Sequence, residues 1–325
     1  MKKVILLSFL IFLIGAFATC WSKKEHESVQ HHVKEQYMDE EQLIHAYPNN
    51  TSSQYLSESM GLYMEYLLLK DDEKEFSKQV EVLKKHFLEE GNSGLYIRWV
   101  TKEETDVNAL IDDVRIIHAL QTGAKQFNQN SYRELADKLT QVIESEQLID
   151  GIYTDFLDGK TGIPAQRITL SYLTRDFFAI LGNTGPSKRI LSFLNKDEIF
   201  FPEYYDIKTK IYMKSTEVHM VDQLLIALNR YSVGQSSPAF QKWIIEEWQK
   251  RWKLYGQYTR NTGSPSVSYE SLSVYAYAFM YFQEIGKTDL AKEIQQQADR
   301  LVKQGVLKEA HFFDYIHYEM LMATQ

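Results

Sequence analysis

Three acidic side chains stand in stretches of the chain that are otherwise apolar. Glu58 lies in a segment that is apolar nearly all round, which is typical of a buried helix. At about 100° per residue, Asp113 falls within the stripe that contains Ile116, and Glu217 likewise aligns with Leu224. A carboxylate on an apolar face is costly unless it is hydrogen-bonded or takes part in chemistry. Glycoside hydrolysis uses such groups, because one protonated acid donates to the leaving oxygen while a second carboxylate activates water or attacks the sugar.

Each of these acids also has a structural explanation. Glu58 and Glu217 both lie near the start of a predicted helix, where a carboxylate favours the helix dipole. An arginine elsewhere in the fold would satisfy Asp113. Gly61, one turn after Glu58, costs about 1 kcal/mol relative to alanine inside a helix, which close approach of either a sugar ring or a neighbouring helix would explain. The adjacent Asp112 falls off the apolar stripe, and we expect it to cap its helix or to face solvent.

The elements that must position these acids are helices. The chain has only 6 Pro and 15 Gly, and its apolar residues recur at spacings of three and four rather than two. This spacing predicts helices near 34–46, 53–70, 73–89, 106–126, 130–145, 166–182, 186–194, 216–233, 238–255, 268–285, 288–304 and 309–322.

The predicted helices pair as six hairpins, with the first and last helices closing a ring. This arrangement is an all-α (α/α)6 barrel, in which six outer helices surround six inner ones. An open solenoid is the alternative, but the sequence shows no repeat of fixed period. The longer linkers fall between hairpins, so we expect them to gather on one face of the barrel and to form a cleft.

The N-terminus predicts export. Lys2 and Lys3 precede an apolar run over 4–18, and the last three residues of this run, 16–18, form a small-x-small cleavage pattern. We therefore interpret residues 1–20 as a signal peptide. An uncleaved anchor is the alternative, although the apolar run is shorter than the roughly 20 residues that a membrane span needs.

Cys20, which directly follows this run, is the only cysteine of the chain. Its position indicates a lipidation site that would attach the protein to the outer face of the membrane. We expect no disulfide. Residues 21–33 are predicted to form a flexible tether and residues 34–325 the barrel domain.

Charge and composition limit the classes of partner. The net charge is −8 and no basic cluster appears, which argues against nucleic acid, because phosphate contacts need clustered Lys and Arg. The abundance of aromatic residues, with 21 Tyr and 5 Trp, suits a carbohydrate binder. We expect no cofactor and no metal, since the His31-His32 pair lies in the predicted tether. We expect a monomer that acts on a polysaccharide.

Three segments resemble glycoside hydrolase family 8. The run from Ser57 to Met64 resembles that family's Ser-Glu-Gly-x-Gly-Tyr-Gly-Met segment, in which the Glu is the general acid. Trp99 and the run 113–120 resemble the family's Trp and its Asp-Leu-Asp-Ile-Ala-Tyr-Ala-Leu, and the run 170–173 is similar to its Pro-Ser-Tyr segment. The family has an (α/α)6 barrel, acts on β-linked polysaccharides and inverts the anomeric carbon.

The resemblance implies roles for individual residues. Glu58 would be the general acid, and Asp113 would bind the sugar at the cleavage subsite. Trp99, Tyr63 and Tyr172 would stack on sugar rings.

The general base is less clearly matched. The family's Tyr-Asp-Ala-x-Arg segment corresponds to the run 216–220, which lacks the Arg and brings Glu217 to or near the base. Asp222, Asp155 and Glu270 remain candidates.

Two other functions fit the same barrel. A polysaccharide lyase or uronyl hydrolase would need a proton-abstracting Tyr, His or Lys and a positive clamp for a uronate. A degenerate hydrolase would bind envelope polysaccharide without cutting it. The hydrolase interpretation requires that Glu58, Asp113 and a second carboxylate meet in one pocket.

Overall fold

The computed structural model describes residues 28–92, 94–103 and 106–323, and it confirms the all-α prediction. The predicted signal peptide, with Cys20, and residues 21–27 lie outside the described residues. None of the helices in the described part of the chain is long and apolar enough to cross a bilayer.

Twelve α-helices occur among the described residues, and most begin within a few residues of the predicted positions. They are α1 Val29–Gln36, α2 Ser57–Leu69, α3 Glu73–Val82, α4 Leu110–Gln126, α5 Asn130–Glu146, α6 Arg175–Ile180, α7 Gly185–Ser192, α8 Met220–Ser232, α9 Pro238–Arg251, α10 Leu272–Glu284, α11 Thr288–Lys303 and α12 Phe312–Ala323. A π-helical turn, Leu83–Phe87, continues α3, and two 3₁₀ turns are found at Leu170–Tyr172 and Val306–Glu309.

The even-numbered helices form a closed inner ring. Helix α2 contacts α4 and α12, α4 contacts α6, and α10 contacts α8 and α12, while the 3₁₀ turn Leu170–Tyr172 contacts α8. Burial distinguishes the two layers: nine of the 13 residues of α2 are buried, against four of the 16 residues of α11. A helix that is apolar on most sides must be enclosed, whereas an amphipathic helix can face water. The fold is therefore the predicted (α/α)6 barrel.

The barrel closes through the two ends of the described chain, as the sequence predicted. The Tyr37 hydroxyl donates to the carbonyl of Ala310 (2.9 Å), and His32 stacks on Tyr315 of α12 with ring centroids 4.8 Å apart. Helix α1 thus serves as the outer partner of α12.

Short antiparallel strands mark the ends of the inner helices where the linkers gather. Strand β1 pairs with β4, β2 with β3, β5 with β6 and β10 with β11, while β7, β8 and β9 form a three-stranded sheet in that order. Their bounds are β1 Tyr55–Leu56, β2 Leu88–Gly91, β3 Gly94–Ile97, β4 Val100–Thr101, β5 Leu148–Ile149, β6 Ile152–Tyr153, β7 Arg167–Thr169, β8 Tyr204–Asp206, β9 Ile211–Met213, β10 Glu217–His219 and β11 Gln257–Thr259. Because β1, β7 and β10 lead directly into α2, the turn Leu170–Tyr172 and α8, these linkers line one mouth of the barrel.

The N-terminal part of the domain differs from the prediction. The described end of the predicted tether is helical, since α1 begins at Val29 and Val33 is fully buried. The helix predicted over 34–46 ends at Gln36. The Asp39 carboxylate accepts the backbone N–H of Leu43 (3.0 Å), and this local bond favours a turn over a continuing helix.

The helix predicted over 166–182 is also wrong in its first half. Strand β7 and a 3₁₀ turn precede the short helix α6, because the Asp155 carboxylate holds the backbone N–H and the hydroxyl of Thr169 (2.5 and 2.8 Å). Thr174 then caps α6 by accepting the N–H of Phe177 (3.2 Å).

Candidate active site

Glu58 lies at the mouth of the barrel, in the first turn of α2. The strand pair β1–β4 fixes this helix start, and the Ser57 N–H donates to the carbonyl of Trp99 (2.9 Å). Glu58 is partly buried. Burial raises the pKa of Glu58 to about 7; Asp112 and Asp222 add to the rise, and Arg115 opposes it. A glutamic acid with this pKa carries a proton near neutral pH and can donate it.

Asp112 is the second acid of the cluster, and it stands in the first turn of α4. It is almost fully buried, and Arg115, one turn on, donates to its carboxylate (Nη1 to Oδ1, 2.6 Å). Burial raises the pKa of Asp112, while the Arg115 guanidinium opposes that rise. A hydrogen-bonded ion pair favours the ionised carboxylate. The sequence analysis expected Asp112 to cap its helix or to face solvent, which is wrong because the side chain is almost fully buried. It did not single out Arg115, although an Asp–Arg pair at i, i+3 in an apolar helix was the available signal.

Asp222 is the third acid, in the first turn of α8. Burial raises the pKa of Asp222, opposed by the Ser171 hydroxyl and by His219. In the order of the ring α8 lies opposite α2, so that Asp222 and Glu58 belong to facing walls of the mouth. Burial raises the pKa of Tyr172, and the charges of Asp155, Asp112, Asp222 and Glu58 add to the rise. The structure therefore brings Glu58, Asp112, Asp222 and Tyr172 into one cluster, and Asp155 also lies near Tyr172.

Asp113 does not lie in this cluster, which corrects the sugar-binding assignment. Its side chain is 2% exposed and lies between α4 and the outer helix α5, beside Leu139 and Ile143. The amide of Asn108 donates to the Asp113 carboxylate and also to Gln147 (2.7 Å). Asp113 is thus part of a buried polar network on the outer side of α4. The expectation that Glu58 and Asp113 meet in one pocket is therefore wrong, and it is the adjacent residue, Asp112, that lies with Glu58 and Asp222.

Glu217 is also placed differently from the prediction. It is exposed and lies in strand β10 opposite Thr259, three residues before α8 begins. The other two candidates for the base are held by partners of their own. Asp155 binds Arg167 (2.7 Å) as well as Thr169, and Glu270 binds Lys253 (2.9 Å) among others. Of the base candidates, Asp222 is the one whose charge acts on Glu58.

Of the aromatic residues predicted to stack on sugars, Trp99 lies at the mouth of the barrel and Tyr63 does not. Trp99 is 37% exposed next to the start of α2, at the mouth. Tyr63 is fully buried, stacks on Tyr66 and meets Phe312 edge-on, so it packs α2 against α12 and offers no face to a sugar.

Gly61 serves helix packing and not sugar binding. A Cβ at this position would lie 3.1 Å from the Arg115 Cδ and from Ile116 Cγ1. The missing side chain thus lets α4 approach α2 and leaves room for the Arg115 stem against α2.

Comparison with known proteins places the chain in a family. No protein family model matches it. It is 33% identical over 237 residues to the candidate lipoprotein YdaJ of Bacillus subtilis, a match that covers 70% of this chain and 64% of that protein. It is also 33% identical to PssZ from Listeria monocytogenes, whose crystal structure superposes with a TM-score of 0.84 over 91% of this chain and 94% of PssZ.

The fold extends to more distant enzymes. Endoglucanase Cel10 from Klebsiella pneumoniae, a family 8 glycosyl hydrolase, matches with a TM-score of 0.62 at 14% identity, over 90% of this chain and 97% of that one. At this identity the likeness concerns the fold. The chain belongs to the same family as PssZ and shares the fold of a family 8 glycosyl hydrolase.

Proposed function

We propose that the protein is an inverting glycoside hydrolase that cuts a β-linked polysaccharide, with Glu58 as the general acid and Asp222 as the general base. The observation that carries the proposal is the pKa of Glu58, raised to about 7 by burial beside two other carboxylates at the mouth of the barrel. The resemblance of the segment around Glu58 to the family 8 acid motif supports the same assignment.

The proposed reaction is a single displacement. Glu58 would protonate the glycosidic oxygen from the α2 wall as the bond to the anomeric carbon breaks. Asp222, on the facing α8 wall, would take a proton from the water that attacks that carbon. Inversion needs room for this water, with carboxyl groups about 6.5–9.5 Å apart, whereas retention needs about 5–5.5 Å.

Asp112 takes the role that the sequence analysis gave to Asp113. Its carboxylate, ionised against Arg115, would accept hydrogen bonds from hydroxyls of the sugar at the cleavage subsite and would stabilise the positive charge that develops on the ring. Tyr172 beside the three acids and Trp99 at the rim would provide stacking surfaces for the neighbouring sugars.

The site of action follows from the N-terminus. We propose that residues 1–20 direct export and that a lipid on Cys20 holds the protein at the outer face of the membrane, where the substrate would be an envelope polysaccharide. The likeness to YdaJ supports this proposal.

The test is a reducing-sugar screen over glucans, chitosans, xylan and polymers of acetylated glucosamine. Glu58→Gln and Asp222→Asn should each lose activity on the substrate that the unmutated protein cuts, while Asp113→Asn and Glu217→Gln should keep a substantial part of it. Proton NMR of the first product formed should show the anomer opposite to that of the substrate.

Three outcomes would contradict the proposal. Glycan binding that survives Glu58→Gln, without new reducing ends from the unmutated protein, would indicate a binding protein. Products with an unsaturated sugar that absorbs in the ultraviolet would indicate a lyase. Loss of activity in Glu217→Gln but not in Asp222→Asn would return the base to the rim strand.

A further inference from the structure

A second group of titratable side chains lies deeper in the barrel than the proposed active site. Glu65 of α2, His118 of α4 and Asp176 of α6 come from three neighbouring inner helices. Glu65 follows Glu58 by seven residues and His118 follows Asp112 by six, which places them roughly 9–10 Å further along the helix axes. One ligand atom from each of the three side chains lies within 4.8 Å of the other two.

These three side chains have the chemistry of a metal site. An imidazole nitrogen and two carboxylate oxygens are common ligands of Zn²⁺, which binds them at about 2.0–2.2 Å. The Nδ1 atom of His118 is already 3.5 Å from the Oδ2 atom of Asp176, close to the separation of two ligands of one tetrahedral ion. Rotation of side chains, without movement of helices, would bring Glu65 into the same shell.

The group is open enough to admit an ion. The side chains of Glu65, His118 and Asp176 are 28%, 41% and 31% exposed, unlike the almost fully buried Asp112 and Asp113. An ion would reach all three from solvent, and water would complete its coordination.

The charge balance favours a cation. Five acidic residues lie on the inner helices near this group: Glu58, Asp112, Asp222, Glu65 and Asp176. The nearby guanidinium of Arg115 is hydrogen-bonded to Asp112. Its Nε atom also lies 3.7 Å from the Glu65 carboxylate. Among the described residues, Asp176 lies within ion-pair distance of His118, which is charged only when its imidazole is protonated.

We propose that Glu65, His118 and Asp176 bind one divalent transition-metal ion of the Zn²⁺ type. The site is independent of the proposed hydrolysis, because Glu58 and Asp222 act at the mouth. The sequence analysis expected no metal. It could not detect this site because the ligands lie on three separate helices and form no local motif.

The experiment is isothermal titration of the EDTA-treated, dialysed full-length protein with ZnCl₂, with CoCl₂ as a spectroscopic probe. We expect one equivalent of Zn²⁺ to bind, and visible absorption bands of Co²⁺ in a site of low coordination number. His118→Asn and Asp176→Asn should each weaken binding by roughly tenfold or more, since even residues that only orient a ligand have effects of this size. Circular dichroism verifies that the variants fold. Each single variant removes one proposed ligand, so either one is by itself a test of the site.

The matched control is His86→Gln. His86 also lies near a carboxylate, with its Nε2 atom 3.9 Å from the Oε1 atom of Glu41, but Lys85 and Lys102 bind the same Glu41. The His86→Gln variant should bind Zn²⁺ with the same affinity and stoichiometry as the unmutated protein. Absence of saturable binding, or equal binding by all three variants, would overturn the proposed site. Neither result affects the glycosidase assignment, because the measurement reports metal and not turnover.

Discussion

The cost of holding a carboxyl group in the cleft can be measured with Glu58→Gln, which keeps the shape of the side chain and removes its charge. The pKa of Glu58 rises from 4.5 to about 7 in the folded state, chiefly through burial. The folded protein therefore binds the proton more tightly than the unfolded chain. The associated stability is fully present below about pH 4.5 and is lost as the pH rises through about 7.

The size of this effect follows from the interval between the two pKa values. At about 1.4 kcal/mol per pH unit, the ionised Glu58 destabilises the fold by up to roughly 3 kcal/mol at pH 8. The buried amide of Gln has a desolvation cost of its own, so that we expect Glu58→Gln to be more stable than the unmutated protein by about 1–3 kcal/mol at pH 8. For a domain of this size, that corresponds to a rise in Tm of roughly 2–6 °C.

The assay is thermal and urea unfolding at pH 4.5 and pH 8. The gain should appear at pH 8 and nearly vanish at pH 4.5, where Glu58 is protonated in the folded protein. Glu246→Gln is the matched control: its side chain is 63% exposed, 3.9 Å from Lys242 on the outer helix α9, and it should show no such pH dependence. A Glu58→Gln protein that is less stable at pH 8 than at pH 4.5, relative to the unmutated protein, would refute the reasoning, because Glu58 would then be stabilised as a carboxylate.

Three further predictions concern the proposed chemistry. Activity should fall as the pH rises through about 7, because Glu58 must carry the proton that it donates, and a pH–rate profile of kcat/KM measures this limb. Asp222→Asn should lower kcat by roughly 100-fold or more, whereas Glu217→Gln should stay within a few-fold of the unmutated rate. A similar loss in both variants would contradict the assignment of the base. Arg115→Met leaves Asp112 buried without its partner, and urea unfolding should show a loss of about 3–5 kcal/mol; a loss below 1 kcal/mol would mean that Asp112 is satisfied elsewhere.

The helical periodicity was sufficient to predict the barrel, because an apolar spacing of three and four extends through both the inner and the outer helices. It led to the wrong choice between Asp112 and Asp113, because Asp113 was assigned to the site and the structure shows Asp112 beside Glu58. These neighbours point about 100° apart, and both are buried, one toward the channel and the other toward α5. In an inner helix, an acid on an apolar face is expected to be buried. The pattern does not say whether that acid faces the channel or the outer layer of helices.

The misplacement of Glu217 has a different origin. The residues before α8 form a strand only because β11, about 40 residues later, provides its partner. A contact so distant in sequence leaves no trace in local periodicity. Asp222, one helical turn beyond the predicted position, is therefore the first-turn acid that faces Glu58.

The contact that closes the barrel joins two segments that are far apart in sequence. The wall of the pocket is therefore complete only when the last helix of the barrel has packed. The bond from Tyr37 to Ala310 spans 273 residues, and the helix that follows Ala310 forms the wall next to the one that carries Glu58. A chain lacking its last turns would have a breach in that wall, however well its other hairpins folded. Contacts of such range also slow folding.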